Sequence, residues 1–380
     1  MARIVFVTGS LAHGGAERHS ITLMNGLTRR GHTCHAVYVK DEGEQLGRIA
    51  EADRTERVHC LRATRYFDPA ALRRFAQALA DIAPTVVVAA NPYALMYAAL
   101  ALKWSRQDAA LVVTYHSNRL LGFKEHLQML WYRAFFWMSD CAVFVCDAQR
   151  RRWRWRGVLA RRNEVIHNGV DTEAFQCVEG SSAGRASRQQ LGLAADDFVV
   201  GISAVLRPEK NHLQFVDAIA ALRKRGLPAR GLIIGDGPMR AAIEQRIAAH
   251  GLSGAVQITG LQSDVRPFIA ACDVLTLCSF TEAFSLAAVE AMALGKPVVH
   301  SRVGGAPELI VPGRNGFLFP VGETAVLVDN LARLADVETA RKMGRQARAD
   351  VEARFSESAM LDRYERILQE IGSRALGATS

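Results

Sequence analysis

Apolar residues fall in short runs, separated by stretches in which they recur every three or four positions. Runs at residues 4–7, 34–39, 86–89, 111–114 and 141–145, with a weaker one at 164–166, read as strands. Most are apolar without alternation, as strands of a parallel sheet covered on both faces should be. Residues 9–15 form a loop after the first run. Residues 17–30 then place Ile21, Met24 and Leu27 on one helical face, and Gly31 stops the helix. Strand–helix–strand order predicts a parallel sheet with helices on both faces.

The pattern restarts after residue 197. Strands are expected at 198–203, 232–234, 256–259, 274–277 and 297–300, and helices at 212–225 and 286–294. Three closing helices are expected at 323–334, 340–354 and 357–371. Between the halves, the run Gly180-Ser-Ser-Ala-Gly-Arg-Ala-Ser is small and polar and reads as a linker or exposed loop. The expected organisation is α/β: a first domain over 1–171, a linker region over 172–197, a second domain over 198–356, and a final segment at 357–380.

A length of 380 residues exceeds one comfortable core and suits two domains. Hydrophobic content of 49% with 22% charged residues is that of a globular chain. No apolar run reaches the roughly 18–20 residues of a membrane span. The start, Met1-Ala-Arg-Ile, runs straight into a strand pattern with no room for a signal peptide, so a cytoplasmic location is expected. The seven cysteines, at 34, 60, 141, 146, 177, 272 and 278, are odd in number and form no Cys-x-x-Cys, so reduced thiols are expected. His32, Cys34 and His35 sit close together at a helix-to-strand turn, and no metal is expected there.

The net charge of +9, carried mostly by arginine, points to an anionic partner such as lipid headgroups or nucleotide phosphates. Nucleic acid ranks last, because no zinc finger, RNA-recognition signature or helix-turn-helix pattern occurs. Residues 148–162 hold seven Arg, two Trp and no acid. Before them, Trp131, Tyr132, Phe135, Phe136 and Trp137 share one helical segment. Arg150, Arg151, Arg152, Trp153, Arg154 and Trp155 are therefore expected at an anionic membrane surface, peripheral on the inner face of the cytoplasmic membrane. The competing reading is a solvated basic helix with its Trp turned inward.

The most informative stretch is Glu282-Ala-Phe-Ser285-Leu-Ala-Ala-Val-Glu290. Residues 280–285 read as a loop and 286–294 as a helix rich in Ala, Leu and Met. The helix start offers backbone N–H groups of Phe284, Ser285 and Leu286 to an anion. One carboxylate stands before the helix and one about a turn inside it. A phosphate at the helix start would thus have hydroxyl-rich groups on either side, each met by a carboxylate, which suits a nucleotide-sugar.

This run, with the following Glu-Ala-Met-Ala-x-Gly-x-Pro-Val-Val sequence and Gly304-Gly305-x-Pro-Glu308, resembles the E-x7-E signature of retaining GT-B glycosyltransferases, especially glycosyltransferase family 4. The resemblance covers nearly the whole chain. It implies two Rossmann-like domains with parallel sheets facing a central cleft, the last helix crossing back to the first domain. It implies transfer of a sugar from a UDP- or GDP-linked donor to a hydroxyl acceptor. A lipid-linked saccharide in cell-surface polysaccharide or glycolipid synthesis would suit the basic segment.

Residue by residue, the resemblance gives Glu290 the ribose hydroxyls and Glu282 the hydroxyls of the donor sugar. Lys210, in Arg207-Pro-Glu-Lys210, and Gly15, in Gly14-Gly-Ala-Glu-Arg, would meet the diphosphate. His116, after the run at 111–114, would contact the transferred sugar or help hold the acceptor. The family commonly has an arginine five residues before the lysine; here that position is Val205, so either Arg207, three residues before the lysine, substitutes or the second cation comes from elsewhere. Asn168-Gly-Val-Asp171 would be a turn at the domain junction, and Asp236 and Asp273 structural turns. No Asp-x-Asp occurs, so no metal and no cofactor beyond the donor itself are expected. A non-transferring nucleotide-sugar enzyme, epimerase-like, and a catalytically silent scaffold at a membrane surface are the alternatives.

Overall fold

The computed structural model describes residues 1–12, 14–50, 54–116, 122–176 and 182–377. The chain divides into two compact units, Met1–Asn168 with Met360–Ser380, and Gly169–Ala359.

In the first unit the order is β1 (Arg3–Thr8), α1 (Gly15–Arg29), β2 (Thr33–Tyr38), β3 (Val58–Cys60), α2 (Pro69–Ile82), β4 (Val86–Ala90), α3 (Asn91–Ser105), β5 (Ala110–Tyr115), α4 (Phe123–Met138), β6 (Cys141–Phe144), α5 (Asp147–Trp155) and β7 (Arg162–Val165). The seven strands form one parallel sheet in the order β3-β2-β1-β4-β5-β6-β7.

Alternation along β1 explains the two faces. Ile4 and Phe6 point into one core with Ile21, Met24 and Leu27 of α1, whereas Val5 and Val7 point into the other with Leu72, Phe75 and Leu79 of α2. All four β1 residues are buried, which is why the run reads as apolar without alternation.

The second unit runs α6 (Ser182–Gln190), β8 (Phe198–Ser203), α7 (His212–Lys224), β9 (Ala229–Ile234), α8 (Arg240–Ala249), β10 (Val256–Ile258), α9 (Arg266–Ala271), β11 (Val274–Leu277), α10 (Leu286–Ala293), β12 (Val298–Ser301), α11 (Ala306–Leu309), β13 (Gly316–Phe319), α12 (Thr324–Arg333) and α13 (Val337–Arg354). Its six strands are parallel in the order β10-β9-β8-β11-β12-β13. Each sheet reverses its strand order beside its first strand, between β1 and β4 and between β8 and β11. Ligands of such sheets bind at the carboxyl ends of the strands at that reversal.

A final helix, α14 (Glu357–Gly377), begins in the second unit and ends in the first. Met360, Leu361, Tyr364, Ile367, Leu368 and Ile371 enter the first unit's core beside α1. Gly26 makes room for it: a Cβ there would lie 2.5 Å from Leu361 Cδ1.

The stretch expected as a linker is helical from Ser182 to Gln190; residues 177–181 lie outside the described ones. Arg188 anchors this helix. Its guanidinium reaches Asp273 at 2.7 Å and the carbonyls of Ala271 and Asp197 at 3.0 and 3.1 Å. Small polar composition is no barrier to a helix when one long side chain can dock it. Among the described cysteines none is in a disulfide; Cys177 lies outside them.

Candidate functional site

In the second unit the sequence-predicted residues gather at the β8/β11 reversal. After β8 the chain turns through a short 3-10 segment, Pro208–Lys210, and Lys210 donates from Nζ to Glu282 Oε2. Glu282 comes from the loop after β11. Both side chains are mostly buried, at 22% and 17% exposure. The Phe280 amide donates to Glu209 O at 2.8 Å and ties the two loops together. Gly304 backs the same loop. Its φ is +51°, and a Cβ there would sit 1.9 Å from the carbonyl oxygen of Glu282. The Gly305 amide donates to Ala283 O at 2.7 Å.

The helix that follows starts at Leu286, where the sequence reading places it. Ser285 is the N-cap, and its hydroxyl accepts from the Ala288 amide at 3.3 Å. The first-turn amides therefore belong to Leu286, Ala287 and Ala288, not to Phe284, Ser285 and Leu286, and the third is already taken by the cap. Phe284 is buried with its ring against Phe355, so its side chain serves packing. Glu290 lies within α10 at 5% exposure, among Ala288, Val289, Ala291, Met292 and Ala293, which are all at 0%. A carboxylate costs free energy in such surroundings and needs a polar or charged partner. Arg207 is exposed and forms no ion pair with any described carboxylate, and Val205 is 47% exposed beside it.

Two histidines join this group that the sequence reading does not single out. His212 opens α7 and His300 lies in β12; both are buried. His300 Nδ1 lies 2.7 Å from Ser301 O, so Nδ1 carries the proton and donates, leaving Nε2 as an acceptor. Among the described residues Nε2 has no partner. His300 feels Glu282 and Lys210 with opposite sign, and His212 feels Lys210. Its position at the end of a strand, where ligands bind, was the available signal for His300.

In the first unit, Gly15 opens α1 after its N-cap Gly14, and a Cβ at Gly15 would meet nothing within 4 Å. His116 follows β5. Its amide donates to Asn91 Oδ1 at 3.2 Å, and its ring packs edge-on against His19 of α1, with centroids 4.7 Å apart. His19 Nε2 lies 3.1 Å from the Tyr364 hydroxyl of α14.

Burial pushes the imidazoles of His116, His212 and His300 down to about 4 from the ordinary 6.5, and that of His19 well below 6.5, where His116 adds to the effect. The unfolded chain takes up protons at these rings below 6.5, while the folded chain resists until about 4. Stability is thus fully present above pH 6.5 and lost as pH falls towards 4. We expect unfolding free energy to drop steeply between pH 6.5 and 4.5, above the range in which carboxylates titrate. His116, His212 and His300 each account for a loss of up to about 3 kcal/mol by pH 4. A urea-denaturation series showing equal stability at pH 7 and 4.5 would contradict neutral buried rings.

The basic segment differs from its expectation. Trp153 is fully buried, its ring 5.0 Å from that of Tyr115. The side chain follows the inner face of α5 into the core, so it is no membrane anchor. Trp155, two residues on, faces away and is 92% exposed. Arg150 and Arg151 pair with Asp147 at 2.5 and 2.6 Å. Arg151, Arg152 and Arg154 are exposed. Exposed apolar side chains lie instead along α4, where Leu127, Leu130, Trp131, Trp137 and Met138 follow helical spacing. Among the described residues no three His, Cys, Asp or Glu side chains converge as a ligand set, and no helix is long and apolar enough to cross a membrane.

The model of the family described as Glycosyltransferase Family 4 matches residues 13–174, and that described as Glycosyl transferases group 1 matches 185–350. The alpha-D-kanosaminyltransferase of Streptomyces kanamyceticus is 31% identical over 278 residues, 69% of this chain and 71% of that one. The chain belongs to glycosyltransferase family 4. EpsD of Bacillus subtilis is 29% identical over 239 residues, so this family member matches 62% of that relative's length and 62% of its own. Among solved structures, Anabaena Alr3699/HepE in complex with UDP and glucose superposes with a TM-score of 0.85 at 23% identity, over 97% of this chain and 100% of that one. The two Rossmann-like units are those of the GT-B fold to which the family's members conform.

Proposed function

We propose that the chain transfers a sugar, with retention and without a metal, from a UDP- or GDP-linked donor to a hydroxyl of a lipid-linked saccharide. The observation that carries this reading is the grouping of Lys210, Glu282, Glu290 and the start of α10 at one strand reversal. A nucleoside diphosphate-sugar asks for a fixed cation and helix N–H groups at its phosphates, and for carboxylates at its ribose and sugar hydroxyls. The binding of UDP and glucose by the HepE neighbour agrees with such a donor.

In the reaction the bond from the sugar's anomeric carbon to the phosphate oxygen breaks, and the acceptor oxygen bonds to the same face. The acceptor's proton passes to the leaving phosphate. Lys210 exchanges its carboxylate partner for the diphosphate, and with the dipole of α10 it stabilises the charge that develops there. Glu282, so released, accepts from the sugar hydroxyls, while Glu290 accepts from the ribose. Gly15 leaves its backbone open to a phosphate, Arg207 supplies a second cation, and His116 exchanges a hydrogen bond with a saccharide hydroxyl. Catalysis is then positioning and charge stabilisation.

The test is incubation with a panel of UDP- and GDP-sugars and lipid-linked saccharides, with products read by mass and by anomeric coupling constants. A product of retained configuration, formed equally in excess chelator, is expected. An inverted product, or activity lost in chelator and restored by magnesium, would overturn the corresponding part.

We further propose that the first unit rests on anionic membranes through the α4 apolar stripe, Trp155 and the exposed arginines of α5. Each engaged arginine contributes roughly 1 kcal/mol. Vesicle recovery should favour anionic over neutral lipid and fall with salt. It should also drop when Arg150, Arg151, Arg152 and Arg154 become Ser, or when Trp131 and Trp155 do. Equal recovery of wild type and both variants would leave a solvated basic helix.

A further inference from the structure

We infer that Tyr364 and His19 are positioning residues for His116: the Tyr364 hydroxyl holds the His19 ring, and the His19 ring holds His116 edge-on, so that His116 Nε2 keeps a fixed direction towards a saccharide hydroxyl. The inference rests on the reading of His116 just proposed.

Three observations support it. The three side chains come from α1, from the end of β5 and from α14, which are far apart in sequence, and the His19 ring packs against both of the others. His116 is fixed from behind as well, since its amide donates to Asn91 Oδ1, and Asn91 takes a left-handed backbone with φ at +69°. Its Nε2 is buried and has no partner among the described residues.

The chemistry of each member fits. Burial keeps the Tyr364 phenol protonated, so it can donate to His19 Nε2, and it keeps both imidazoles uncharged. A charged His19 would repel a charged His116 at this spacing, so the pair acts as neutral packing rather than as a proton store. A neutral Nε2 exchanges a hydrogen bond with a sugar hydroxyl, and its alignment decides the strength of that bond. Tyr364 therefore acts at one remove, through a ring that itself touches no substrate.

The test uses the full chain, UDP-glucose as the probe donor and UDP release as the readout. Tyr364→Phe removes one oxygen and keeps the ring; His19→Phe keeps a ring and removes both nitrogens. Each should lower kcat about tenfold with KM for UDP-glucose unchanged, at a temperature where thermal unfolding shows the variants fully folded. In a His116→Ala background, itself slow, neither should lower kcat by more than about twofold further, because residues that act through one another are not additive.

Equal losses in the two backgrounds, or wild-type rates for Tyr364→Phe and His19→Phe beside a slow His116→Ala, would overturn the positioning role alone. A wild-type rate for His116→Ala would instead remove His116 from the site, and this inference with it.

Discussion

Lys210→Ala and Glu290→Gln each lower donor turnover at least about a hundredfold while the chain remains folded. That factor corresponds to roughly 2.7 kcal/mol of transition-state stabilisation. For Lys210 the expectation follows from its place as the cation paired with Glu282 at the β8/β11 reversal. With alanine there, the leaving diphosphate loses its point charge, and Glu282 loses the group that holds it ready. Folding is weakened as well, because removing one partner of a mostly buried pair leaves the Glu282 charge uncompensated. For Glu290 the buried position in α10 makes glutamine the better probe: it keeps the volume and removes the charge. Steady-state kinetics beside thermal unfolding separates the two effects, and near-normal rates in folded variants would remove both residues from the site.

Gly304→Ala should be strongly damaging to the second unit. The backbone there is left-handed, and the added Cβ would lie 1.9 Å from Glu282 O and 2.6 Å from Ala283 O. Backbone strain and overpacking together cost about 3 kcal/mol. Relief requires the 282–283 loop to move, which draws Glu282 from Lys210, so turnover should fall as well. Urea denaturation and donor turnover check the two halves; an unchanged midpoint with unchanged turnover would show that the loop yields without consequence.

What could be read from sequence, and what could not, divides along physical lines. The strands buried on both faces were legible because burial on two sides leaves nothing but apolar residues, as at Ile4 to Val7. β3 and β13 are short, and Val58-His-Cys60 carries no apolar run to find. The helix over Ser182–Gln190 was hidden because its docking depends on Arg188 meeting Asp273, 85 residues away. Trp153 and Trp155 show the limit of composition: two residues apart on one helix, they point in opposite directions, and no count of Arg and Trp says which one is inside. At the site, Glu282, Glu290 and Lys210 carried local signatures. Which first-turn amides of α10 stay open depended on the hydroxyl that caps it, and His19 and Tyr364 became visible only once α14 lay beside α1.

The path of α14 also sets an order of events in synthesis. The first unit's core takes Met360, Leu361, Tyr364, Ile367, Leu368 and Ile371 from a segment made after the whole of the second unit. On the ribosome, then, the unit that begins first is completed last. Its α1 face stays uncovered through the making of nearly two hundred further residues, a span in which a chaperone has an apolar surface to hold and the second unit is free to fold alone.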